Sequence, residues 1–192
     1  MKKKNKRSRR RVKDFTVLTY EVTGEPVDTG WDMPPELQEQ LTGLHATVKS
    51  NPQKAAAILE ELKGKYPGAP QVYNLLGQAY FTLGDKTKAH ATAKENYLKN
   101  PDYLFAKINY AESFIQKQQY EKIPSIFDNK LDLKLLYPHR DVFHVSEVAS
   151  FFGVIGLYYV SIKDRDLAEG CYKIMRKVYP DHPLTKRLLT FL

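Results

Sequence analysis

The chain has 192 residues, 42% of them hydrophobic, which suits one globular domain or a short repeat array and excludes a wholly disordered chain. Its net charge of +8 is concentrated at one end: residues 1 to 13 hold nine Lys or Arg and no acid, and the 30 basic residues less these nine leave 21 against 22 acids. The single cysteine, Cys171, excludes an internal disulfide framework and fits a reducing compartment.

The first element in chain order is the basic run Lys2, Lys3, Lys4, Lys6, Arg7, Arg9, Arg10, Arg11 and Lys13. It reads as a disordered tail over residues 1 to 14 that can neutralise phosphates without reading bases, since no aromatic residue precedes Phe15. The run also fits a nuclear-import signal or attraction to an anionic surface. No apolar stretch follows it, so no secretory leader is expected. Residues 15 to 35 form an extended linker whose Thr-rich, alternating start reads as a strand with no obvious sheet to join. It is expected to lie against the helices that follow, in their own groove as one arrangement.

From residue 36 the chain repeats. Ala55, Ala89 and Ile123 stand 34 residues apart, as do Leu59, Ala93 and Phe127, and Pro67, Pro101 and Pro138 close successive segments. Later, Phe152, Ile155, Gly156, Tyr159, Ala168, Tyr172, Met175 and Pro180 reproduce Tyr73, Leu76, Gly77, Tyr80, Ala89, Ala93, Asn96 and Pro101 in order and spacing. Helix pairs are predicted near 36–69, 70–103, 104–137 and 149–182. Gly84-Asp85 and Lys163-Asp164 supply short turns in the second and fourth, while the third offers only Gln118-Gln119 and places Pro124 in the first turn of its second helix. An insertion, residues 138 to 148, lengthens a connection or a helix. The most apolar window, residues 148 to 162, is broken by Ser150, Gly153, Gly156 and Ser161 and falls short of a membrane span. A cap helix, 183–192, is more apolar than a solvating cap needs, which admits a homo-oligomer contact.

This grammar resembles the tetratricopeptide repeat, a helix-turn-helix unit with a large residue, Leu-Gly and Tyr on its first helix and Ala, an apolar residue and Pro after its second. The resemblance implies an all-α right-handed superhelix of about four units over residues 36 to 192. On this reading Gly77 and Gly156 let paired helices approach closely, and Ala89 and Ala168 do so from the other side. The resemblance also implies a concave groove lined by first helices. Among its positions are Asn74, Gln78 and Phe81, then Phe105, Ile108, Glu112 and Ile115, then Leu157 and Val160, with Ser150 and Gly153 beside them; the alternative for Phe105, Ile108, Leu157 and Val160 is packing within the stack. The positions that would clamp a terminal carboxylate hold Gln40, Leu44 and Asn109, so that mode is not expected.

No nucleophile motif, phosphate-binding glycine loop or metal-ligand spacing occurs: His139 and His144 are five apart, and Cys171 has no second thiol. The expected protein is therefore not an enzyme, uses no cofactor or metal, and works as a cytoplasmic adaptor holding a protein or peptide partner in its groove, nuclear placement being open in a eukaryote. The other reading is a nucleic-acid or ribosome-associated factor acting through residues 1 to 13.

Overall fold

The computed structural model describes residues 19–27 and 31–192. The basic run at residues 2 to 13 therefore lies outside the described residues. The architecture is an all-α helical repeat with one small accessory sheet. Helices α1 (Pro35–Ser50) and α2 (Pro52–Lys65) pack as a pair, followed by α3 (Pro70–Thr82) with α4 (Lys86–Lys99). Next comes α5 (Leu104–Gln116), then the short turns α6 (Ile123–Ile126) and α7 (Leu133–Leu136). A second long pair, α8 (Val145–Ser161) and α9 (Arg165–Val178), precedes the cap α10 (Pro183–Leu189).

Local chemistry sets these boundaries. Asn51, Asp85 and Asp164 cap α2, α4 and α9 by accepting from the amides of Lys54, Lys88 and Leu167 at 3.1, 2.9 and 3.2 Å. The turns inside three helix pairs share one left-handed residue: Gly84, Gln118 and Lys163 have φ of 77°, 57° and 61°. In each, the following amide reaches back five residues, Asp85 to Tyr80, Gln119 to Phe114 and Asp164 to Tyr159, at 2.9, 2.9 and 3.0 Å. This bonding closes the helix end whether or not a glycine is present.

The third pair departs from expectation. Its second helix shrinks to a 3₁₀ turn (Tyr120–Lys122) and the single α turn of α6. Pro124 lacks an amide and cannot extend a helix from the preceding turn, and Asp128 and Asn129, with φ of 54° and 58°, end α6 at once. The nearly buried Lys107 ammonium closes that end, donating to Ile126 O at 3.3 Å and pairing with Asp128 at 3.4 Å.

The 138–148 insertion holds a strand, β2 (Val142–His144), rather than a longer helix, and it supplies the sheet the linker needed. Strand β1 (Glu21–Thr23) pairs with it in parallel, Val22 opposite Phe143. Tyr20 sets its ring edge-on to Phe143 at 5.1 Å. The described part of the linker thus docks at the insertion, not in the groove, while Trp31 and Met33 pack on the apolar cluster of the first helices.

That cluster, spanning α1 to α3, is one of two buried apolar groups among the described residues; the other runs from α5 through α10. Helix α4 lies between them with only Thr92, Ala93 and Asn96 buried. The cap is largely spent within the fold: Leu184 and Leu188 are buried, while Leu189 and Phe191 remain exposed. Among the described residues no helix is long and apolar enough to cross a membrane.

Candidate functional site

A groove of about 510 Å³ opens where the two apolar clusters meet, bordered by α1, α3, α4 and α5. Its floor answers why small residues stand at fixed phases of the repeat. Gly77, Ala89 and Ala93 line the groove. A Cβ on Gly77 would meet only Thr92 Cγ2, at 4.0 Å, so this glycine is not required for close helix packing. The expectation holds instead for α8, where a Cβ on Gly156 would come within 2.5 Å of Leu188 and 3.1 Å of Cys171, and one on Gly153 within 2.6 Å of Leu184. The same residue type makes space in one pair and removes it in the other.

One wall is a ladder of side-chain amides. Asn74 Oδ1 accepts from Asn96 Nδ2 at 2.9 Å and from Asn109 Nδ2 at 2.8 Å, and Asn74 Nδ2 donates to the Tyr103 hydroxyl at 3.4 Å. Asn96, almost fully buried, also donates to Pro70 O at 3.2 Å and accepts from Asn100 at 2.9 Å. These bonds tie α3, α4 and α5 together where large apolar side chains are lacking, and they hold the amides in fixed orientations. Burial, followed by the charge of Glu147, pushes the Tyr103 hydroxyl well above the ordinary tyrosine range, so it stays protonated.

The opposite wall carries His90 and Ser113, 2.8 Å apart between Nδ1 and Oγ. Ser113 donates its own proton to Tyr110 O at 2.6 Å, which makes His90 Nδ1–H the donor in the contact. A histidine donating to the serine does not activate it as a nucleophile. Burial, then the charges of Lys117, Lys94 and Lys122, lowers the pKa of His90 below its usual value. Among the described residues, Glu112 is the one carboxylate on the lining, which includes no Lys or Arg. It is half-buried, and no hydrogen bond or ion pair holds its side chain among the described residues. Desolvation pushes its pKa up to about 7, opposed by the Arg187 charge. Gln71 Oε1, also on the lining, is buried without a hydrogen-bond partner among the described residues.

The structure gathers Asn74, Gln78, Phe81, Phe105 and Glu112 on this groove. Phe81 is 54% exposed and presents an open apolar face. It does not bring the other expected residues there. Ile108, Ile115 and Leu157 are 1%, 2% and 2% exposed, inside the cluster that α5 shares with α8 and α10, because an aliphatic side chain facing a neighbouring helix is buried by that helix. Val160 is half-buried against the same cluster. On α8, Ser150 is covered by His182, 3.3 Å away, and Gly153 by Leu184, so the cap closes this end of the first-helix face. Sequence reasoning missed Asn96, Ala89 and His90, which come from the second helix of a pair. Asn96 carried a signal: it stands where Met175 stands in the matching pair, an amide at an apolar position.

No family model matches the chain. The chain is similar to the TPR repeat-containing protein YvcD of Bacillus subtilis (strain 168), 34% identical over 85 residues, which cover 44% of this chain. The match spans 17% of that longer protein.

Proposed function

We propose that the chain is a noncatalytic interaction module that holds a segment of a partner protein in the groove among α1, α3, α4 and α5. The observation that carries this reading is the placement of Gly77, Ala89 and Ala93 around an open pocket instead of a closed helix contact. A pocket of about 510 Å³ has the size of a ligand site. Its Phe81 and Phe105 rings offer apolar anchors, and its amides offer polar contacts to an extended chain. The similarity to a TPR repeat-containing protein favours protein partners over small-molecule chemistry. The basic residues 2 to 13 favour a second reading, phosphate-backbone binding by the tail.

Affinity capture from nuclease-treated native extract separates the two. The baits are the full chain, an Ala89→Leu variant that fills the groove, and a full-length variant with the nine basic residues of 2 to 13 changed to Gln. A protein held by the first and third baits and lost from the second is the expected result. Capture that survives Ala89→Leu but disappears with the basic residues or the nuclease overturns the groove reading and favours the tail.

A further inference from the structure

The groove is asymmetric in charge: among the described residues its lining holds one carboxylate, Glu112, and no Lys or Arg. Part of its amide wall is bonded internally: Asn96 and Asn109 donate to Asn74, and Asn74 donates to Tyr103. Two acceptors matter most, one buried without a partner and one carrying charge. Gln71 Oε1 is buried with no donor, and the Glu112 carboxylate has no hydrogen bond or ion pair among the described residues. Among the described residues the lining has no ammonium or guanidinium group to supply them. Arg187, exposed on α10, attracts Glu112 without a hydrogen bond to it. A buried acceptor left unpaired costs free energy that a donor-bearing ligand recovers on binding.

The two acceptors stand on different helices. Gln71 and Gln78 lie seven residues apart on α3, about 10 Å along the axis at the usual helical rise. Glu112 stands on α5 exactly one repeat of 34 residues after Gln78, and so occupies the matching place on the neighbouring helix. Gln71 and Glu112 thus come from different helices onto one pocket, with the small floor of Gly77, Ala89 and Ala93 bordering it.

Resting on the adaptor reading above, we propose that the partner segment carries a Lys or Arg side chain that enters the groove and pairs with Glu112, while a second donor of the segment reaches Gln71. Charge complementarity selects this occupant. A carboxylate-bearing segment would meet Glu112 with no cation on the lining to balance it. An all-apolar segment would bring no donor to either acceptor. Arg is the better fit, because its fork of donors satisfies both carboxylate oxygens at once.

The test is selection of a randomised 12-residue peptide display library on the full-length chain, followed by titration of synthetic versions of the selected peptides. Enrichment of one fixed Lys or Arg flanked by apolar residues is expected. Glu112→Gln, which preserves shape, should weaken those peptides by tenfold or more, and Gln71→Leu by a smaller factor. Peptides that lose affinity on Ala89→Leu yet tolerate Glu112→Gln overturn the basic-side-chain inference and leave the groove reading standing. Peptides indifferent to both substitutions overturn both. A full-length variant with its nine N-terminal basic residues changed to Gln covers the remaining occupant. If only that variant binds peptides, the chain's own tail fills the groove, and a partner cation is overturned as the natural occupant. Circular dichroism of each variant at the titration temperature confirms that the comparison is between folded proteins.

Discussion

Arg140 holds Glu147 in a two-pronged ion pair, Nη1 to Oε1 at 3.0 Å and Nη2 to Oε2 at 2.5 Å, with the carboxylate 2% exposed. Oε2 also accepts from the His144 amide at 2.9 Å, and Arg140 Nε donates to Val142 O at 2.9 Å. One pair therefore fixes the strand β2 to the start of α8. Arg140→Met leaves a buried charge alone and should cost about 3–5 kcal/mol in denaturant unfolding. Adding Glu147→Gln should restore part of that loss by removing the charge. Because Glu21 donates to Asp141 O at 2.7 Å, the Glu21 amide should exchange faster with solvent deuterium in Arg140→Met than in the parent.

The glycines of α3 and α8 give opposite expectations for the same substitution. Gly77→Ala adds a methyl group with open room and gains helix propensity, so stability should stay level or rise by up to about 1 kcal/mol. Gly156→Ala drives a methyl group into Leu188 and Cys171, and Gly153→Ala drives one into Leu184; each should cost about 1–3 kcal/mol by overpacking. Thermal unfolding of the three variants reads the contrast directly. A destabilised Gly77→Ala would show that α3 and α4 approach more closely than the groove geometry allows.

The turns make a third case. Gln118 and Lys163 take the left-handed conformation that Gly84 adopts freely, and both are solvent-exposed. A side chain there costs about 1–2 kcal/mol, offset in part by the greater freedom of glycine in the unfolded chain. Gln118→Gly and Lys163→Gly should each raise stability by about 0.5–1 kcal/mol, and Gly84→Ala should lower it by about 1 kcal/mol. Midpoints in urea at constant slope would establish this.

What the sequence made legible follows from which forces are local. The 34-residue phase located the helix pairs, because every pair buries the same stripe. Asp85 and Asp164 marked helix starts through their own side chains. Strand β2 was not legible: three residues acquire strand geometry only by pairing with β1, about 120 positions earlier in the chain. The short second helix of the third pair was half-legible, since Pro124 was visible but the left-handed Asp128 and Asn129 were not. Phase also placed Gly77 and Gly156 on equivalent faces without revealing what lay opposite, open groove for one and the cap for the other. Ile108, Ile115 and Leu157 were misassigned to the groove for the same reason.

Glu112 links the groove to pH. Burial raises its pKa to about 7 from the ordinary carboxylate value of 4.5, Arg187 on α10 being the opposing charge, and the half-buried His90 on α4 and the exposed His45 on α1 share the lining. The folded protein therefore holds this proton more tightly than the unfolded chain does. Below about pH 4.5 both states are protonated and the residue contributes no difference; as pH rises from there to about 7, the unfolded chain ionises first and stability falls; above 7 the penalty is constant. Glu112→Gln removes the titration, so its stability relative to the parent should rise across that window by about 1–3 kcal/mol and then level off. Unfolding free energies of both proteins at half-unit pH steps give the difference curve, in which contributions from other groups cancel. A flat difference would mean that water reaches the half-buried carboxylate freely and that desolvation does not hold its proton.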